Sequence, residues 1–129
     1  MKKKYLIVIA DYYKDISKGL LSSAKVILPK SSVIKIINVP GVFEIPVTIS
    51  KNIKKYDAFL ALGCVIKGQT PHFDFISHAS TDAIMKLSID NKKPIGNGII
   101  TCLNMRQAIV RKKKGREAAQ AVLSVLAQK

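Results

Sequence analysis

The sequence has no tryptophan, only two cysteines, and only three arginines among its 22 basic residues. Cys64 and Cys102 stand far apart, with neither CxxC spacing nor a nearby histidine pair, so nothing suggests a zinc site or a disulfide framework. Each follows an apolar run, which predicts reduced, half-buried thiols at strand ends, as in a cytoplasmic protein. Long hydrophobic runs are missing too. Stretches such as Leu6–Ala10 and Ala58–Leu62 fall well below the roughly 20 residues of a membrane helix. The apolar run behind Met1-Lys-Lys-Lys is too brief for a signal-peptide core and has no small-residue cleavage site. No repeat or linker divides the 129 residues, so residues 1–129 are read as one domain.

Acidic residues are also scarce: eight, which leaves a formal net charge of +14. Such a balance invites a nucleic-acid partner. Against it, nearly all the cations are lysines spread along the chain, whereas specific readers of nucleic acid favour arginine forks. No nucleic-acid and no membrane partner is therefore expected. Arg111-Lys-Lys-Lys-Gly-Arg116 is the one dense basic run. Hydrophobic residues make up 48% and charged residues 23%, the composition of a chain with a packed core.

The apolar pattern alternates between two periods. Tyr5–Ala10, Val33–Val39, Asp57–Val65 and Pro94–Thr101 read as strands. The first and third lack alternation, as strands covered on both faces do. Between them, Ile16, Leu20, Leu21, Ala24 and Ile27 recur at helical spacing, and Pro29 ends that helix. Residues 43–54 read as a helix with Pro46 in its first turn. A longer helix follows, with Ile76, Ala79, Ala83, Ile84 and Leu87 on one face. A last helix has Ala118, Ala121, Val122, Val125 and Leu126 on its apolar stripe. Strands alternating with helices predict an α/β architecture built from right-handed βαβ units around a parallel sheet. Ligands then bind at the carboxyl ends of the strands.

Those strand-end loops carry the chemistry. The first, around Tyr12 and Tyr13, lacks the Ser, Thr and Gly of a phosphate loop and the adjacent acids of a phospho-receiver. The second, Val39-Pro-Gly-Val-Phe-Glu-Ile-Pro46, sets an aromatic wall beside an acceptor, although a turn followed by a helix-start carboxylate would read the same way. The third runs Gly63-Cys-Val-Ile-Lys-Gly-Gln-Thr-Pro-His-Phe-Asp-Phe75. It offers free amides before a helix and an imidazole, His72, at the same edge. His78, further along that helix, reads as structural.

These segments, with Pro94-Ile-Gly-Asn-Gly-Ile-Ile-Thr101 and Lys114-Gly115, resemble the lumazine synthase family in order over nearly the whole chain. The resemblance implies a three-layer flavodoxin-like sandwich with a four-stranded parallel sheet. It implies a homopentamer, or several pentamers, with active sites between subunits. The reaction implied is condensation of 5-amino-6-(D-ribitylamino)uracil with 3,4-dihydroxy-2-butanone 4-phosphate, the penultimate step of riboflavin biosynthesis, without cofactor or metal. By the same resemblance, His72 moves protons and Tyr12 stacks on the pyrimidine. Val42, Phe43 and Glu44 hold the ribityl chain, while Val65 and Ile66 meet the uracil edge through their backbone. Gln69, Thr70 and Arg111 hold the phosphate, with Arg106 and Arg116 as alternatives to Arg111. Asn97 and Lys114 come from the neighbouring subunit. Asn97 departs from the phenylalanine common at its position, and the Arg111–Lys114 stretch is shorter than in many members. A catalytically weak lumazine-binding or shell-forming relative would lack His72 or the arginine, and both are present.

Overall fold

The computed structural model describes residues 2–128. Its elements, in chain order, are β1 (Lys4–Ala10), α1 (Lys14–Ile27), β2 (Val33–Val39) and a 3₁₀ turn over Val42–Glu44. Then come α2 (Ile45–Asn52), β3 (Ala58–Ile66), α3 (His72–Asn91), β4 (Ile95–Cys102), α4 (Met105–Arg111) and α5 (Gly115–Leu126). The strands form one sheet in the order β2-β1-β3-β4, and every pair is parallel.

Sheet position accounts for the strand patterns. The central strands β1 and β3 are buried almost throughout, which is why their sequences do not alternate. Edge strand β4 does alternate, with Gly96, Gly98, Ile100 and Cys102 buried and Asn97 and Thr101 exposed. On one face, Tyr5, Ile7, Ile9, Leu60 and Leu62 pack with Leu20 and Ala24 of α1 and Val122 of α5. On the other, Leu6, Val8, Phe59 and Ala61 pack with Ile45 and Ile49 of α2 and Ile84 of α3. The result is an α/β sandwich of three layers. Each fully buried Leu or Ile here contributes roughly 1.5–3 kcal/mol.

Four local details differ from the expected pattern. The helix expected over residues 43–54 is α2, Ile45–Asn52, with its proline at the first or second helical position. The preceding residues form the 3₁₀ turn instead, closed by Glu44 N–H donating to Gly41 O at 3.1 Å. On α3, Ala79 is exposed and Ser80 is buried in its place. The Ser80 hydroxyl tolerates burial because it donates to Ile76 O at 2.7 Å. On α5, Ala121 and Val125 are exposed, and the buried face is Gly115, Ala118, Ala119 and Val122. Two glycines rotate that face inward. A Cβ on Gly115 would stand 2.0 Å from Leu20 O of α1, and one on Gly96 would stand 2.3 Å from Ala118 O. The fourth difference is α4, for which the apolar pattern predicted nothing. Its start is held by side chains: Asn104 Oδ1 accepts from Gln107 N at 3.0 Å, and Gln107 Oε1 accepts from Leu103 N at 2.8 Å. That is a near relative of the reciprocal capping box, and Asn104-x-x-Gln107 is its sequence signature.

Candidate active site

All strands being parallel, their carboxyl ends share one edge, and three loops meet there. Tyr12 and Tyr13 follow β1, Gly41 and the 3₁₀ turn follow β2, and residues 67–71 lead from β3 into α3. They enclose a cavity of about 330 Å³ lined by Tyr12, Tyr13, Gly41, Val42, Cys64, Val65, Ile66, His72 and Ile76. Beside it lies an open space of about 500 Å³ walled by Phe43, Glu44 and Phe75, and again by Gly41, Val42, His72 and Ile76. His72 borders both.

Each wall has a local cause. Phe43 is 64% exposed and Tyr12 75% exposed, so two large rings face outward rather than into the core. The Tyr12 ring meets Tyr13 edge to face, with centroids 4.9 Å apart and planes at 84°. Val42 is buried and anchors the turn that carries Phe43. A side chain on Gly41 would come within 3.1 Å of Glu44 Oε1, so the glycine leaves the carboxylate its space. His72 is the first residue of α3 and is exposed. Its backbone N–H donates to Thr70 Oγ1 at 3.4 Å, a local bond that ties the loop to the helix.

Two tuned groups border the cavity. Burial pushes the Cys64 thiol up to about 12, with the neighbouring Cys102 adding to the effect. Burial likewise raises Tyr13, with Cys64 and Tyr12 contributing. Both groups therefore stay neutral at physiological pH. The expectation of half-buried thiols is exceeded: both cysteines are buried, on the α1–α5 face.

A second, polar groove of about 240 Å³ runs along the free edge of β4, lined by residues 97–101 with Arg111, Lys114 and Glu117. Here the unpaired backbone of the edge strand is met by side chains. Asn97 Oδ1 accepts from Ile99 N at 3.0 Å, and Arg111 Nη1 donates to Thr101 O at 3.2 Å. Lys114 Nζ lies 3.5 Å from Glu117 Oε2. Arg111 is thus oriented by one N–H and keeps the rest of its fork for an anion. Arg106 and Arg116 are exposed and line none of these three spaces.

The expected residues therefore fall into two sets. Tyr12, Val42, Phe43, Glu44, Val65, Ile66 and His72 gather around the edge cavities. Asn97, Arg111 and Lys114 gather in the β4 groove, which shares no lining residue with those cavities. Gln69 and Thr70 sit on the exposed loop before α3 and line neither. None of these three spaces is lined by Arg111 together with Gln69 or Thr70. The amides of Gly68, Gln69 and Thr70 bond to no backbone carbonyl among the described residues. Sequence reasoning passed over Phe75, Ile76 and Glu117. Phe75 and Ile76 lay within the motif itself, whereas the place of Glu117 depends on how α5 crosses β4.

The sequence pattern of the 6,7-dimethyl-8-ribityllumazine synthase family matches residues 2–129. Among curated relatives, a 6,7-dimethyl-8-ribityllumazine synthase from Bartonella bacilliformis is 43% identical over 134 residues, covering 96% of this chain and 88% of the relative. One from Methylorubrum populi is 41% identical, covering 98% and 82%. One from Agrobacterium fabrum is 39% identical, covering 98% and 95%.

Proposed function

The chain belongs to the 6,7-dimethyl-8-ribityllumazine synthase family, and from that premise we propose that the edge cavities and the β4 groove are the two halves of its active site, joined between subunits. It is a transferase of riboflavin biosynthesis. It condenses 5-amino-6-(D-ribitylamino)uracil with 3,4-dihydroxy-2-butanone 4-phosphate, releasing phosphate and two waters. The observation that carries the site assignment is His72, at the junction of two cavities flanked by exposed rings and one carboxylate.

In this reading Tyr12 stacks on the pyrimidine and the backbone of Val65 and Ile66 meets its edge. Val42 and Phe43 form the ribityl wall, and Glu44 accepts hydrogen bonds from ribityl hydroxyls. Imine formation, loss of phosphate and ring closure each move protons between carbon, nitrogen and oxygen. An imidazole can both accept and give a proton, and His72 is the one that borders both cavities. Much of the rate comes from holding amine and ketone together in the right orientation.

The phosphate is held by Arg111 with the free amides of Gln69 and Thr70. Arg111, Asn97 and Lys114 line neither edge cavity of their own chain, so in this reading they act on the edge cavities of a neighbouring copy. A homopentamer, or several, satisfies that requirement by a repeated head-to-tail contact that closes into a ring. Exposed Met105, Ile109 and Val110 on α4 and Phe75 on α3 support such a contact. A cytoplasmic location belongs to the same reading, supported by two free, buried thiols.

The test is to mix purified protein with both substrates and follow lumazine fluorescence, subtracting the uncatalysed rate. Acceleration that falls sharply in Arg111→Ala and partly in His72→Ala is expected. No acceleration from the folded protein overturns the enzymatic reading.

A further inference from the structure

The lysines look dispersed along the sequence, and that dispersal is one of the two grounds, with the scarcity of arginine, for expecting no nucleic-acid partner. The fold removes the first. Each of the four strands enters the sheet just behind lysine: Lys3 before β1, Lys30 before β2, Lys54 and Lys55 before β3, and Lys92 and Lys93 before β4. In a parallel sheet these entries form one edge, opposite the carboxyl ends that carry the active site. Hydrogen bonds stitch the entries together. Val33 N–H donates to Lys3 O at 3.0 Å, Asp57 N–H to Lys4 O at 2.8 Å, and Lys93 Nζ to Ile53 O at 2.6 Å. The other five of these lysines are exposed.

Little acid balances them. Asp57 accepts the Lys4 amide at 2.8 Å and Asp90 pairs with Lys86 at 3.2 Å. Asp15 and Asp74 instead occupy first turns of helices at the opposite end, and Glu117 lies beside β4, where it pairs with Lys114 at 3.5 Å. Lys92 adds a second observation. It is the one described non-glycine residue with positive φ, at 54°, and it caps α3 in the left-handed conformation where glycine is the low-strain choice.

We propose that this amino-terminal edge is a docking surface for the phosphate backbone of duplex nucleic acid, bound without base recognition. Four strands about 4.8 Å apart span roughly 14 Å, against one phosphate per ~3.4 Å of axis on each strand, so about four phosphates face the edge. The three arginines belong to α4 and the first turn of α5, so none is among the strand-entry residues to offer a guanidinium fork to a base. Tyr5 and Phe59 are buried and the half-buried Tyr56 ring packs on Phe59, so no ring is free to stack on single strands. The exposed bulky apolar side chains at this end, Val33 at the β2 entry with Val26, Ile89 and Val125 near helix ends, belong to four different elements and form no single amphipathic helix face of the kind that lies in a bilayer.

The test is fluorescence anisotropy of the intact protein with two labelled DNA duplexes of unrelated sequence, each about 20 base pairs, over a salt series. Both should bind equally, with a log–log salt slope near about −4. Lys30→Glu/Lys54→Glu should weaken binding about tenfold or more at low salt, while Lys14→Glu/Lys113→Glu, an equal charge change elsewhere, weakens it less than about threefold. Lys55→Gln/Lys92→Gly should also weaken binding, and its glycine relieves the strained cap, so unfolding cannot account for the loss. All three variants should keep lumazine formation. Absence of wild-type binding, equal loss in the edge and control variants, or preference for one duplex sequence would each overturn the proposal.

Discussion

Gly96 of β4 lies so close to Ala118 of α5 that a Cβ on the glycine would stand 2.3 Å from the Ala118 carbonyl oxygen. Backbone therefore packs on backbone where the last helix crosses the edge strand. The contact shapes the β4 groove: it sets Lys114 and Glu117, at the start of α5, beside Asn97 and Thr101. Gly98 tightens the same crossing, since a Cβ there would lie 2.5 Å from Leu62 Cδ2 and 3.2 Å from Ala118 Cβ.

Gly96→Ala should consequently destabilise the fold by about 1–3 kcal/mol, because backbone cannot yield as a flexible side chain does. Urea denaturation measures it. A midpoint equal to wild type would mean that α5 can lift off β4 without cost.

His72→Ala should retain the fold and slow lumazine formation by about tenfold to a hundredfold without abolishing it, at or below the low end of general acid–base contributions. His72 is exposed and only its backbone bonds to Thr70, so loss of its ring leaves no buried group unpaired. A wild-type rate in a folded His72→Ala protein would remove the proton-transfer role.

Subunit mixing tests the shared site. Glu44→Ala/His72→Ala damages one half and Arg111→Ala/Lys114→Ala the other. In a randomly mixed ring, about a quarter of contacts pair two intact halves. Refolding the two variants together should therefore recover about that fraction of wild-type activity. No recovery in assembled rings would place all the residues on one subunit's site.

The Cys64 thiol is raised from its ordinary 9.0 to about 12, first by burial and then by Cys102. Between those values the folded chain keeps a proton that the unfolded chain has released, so stability falls as pH rises. The contribution is fully present below about 9 and is lost as pH climbs through about 12. The Tyr5 and Tyr13 hydroxyls, also raised by burial, act in the same direction at high pH. Native Cys64 should accordingly react with iodoacetamide at pH 8 about a thousandfold more slowly than in denaturant, because only the thiolate attacks. Peptide mapping after timed labelling reads this directly, and fast labelling in the native protein would refute the burial argument.

Most of the edge cavity was legible because its residues lie in short, contiguous motifs at strand ends. Val42, Phe43 and Glu44 follow β2 within five residues, and His72 opens α3. A parallel sheet brings such ends together whatever the details of its packing. The missed α4 had only a local capping signal, since a seven-residue helix with one buried side chain leaves almost no apolar period. Ala79, Ala121 and Val125 were assigned to the core because helical spacing names two adjacent stripes and only packing chooses between them.

The order of periods along the chain was enough to specify four parallel strands, most of their covering helices and the loops at the strand ends. Those properties follow from hydrophobic pattern and chain direction, which are local. Three matters depended on how distant segments meet. The β2-β1-β3-β4 order put Asn97 on a free edge. Gly96 and Gly115 turned α5 so that Lys114 faces that edge. The same topology gathered lysines from four separate stretches at the opposite end. Steric contact between backbones and the common direction of the strands produce all three, and neither is written within any single segment.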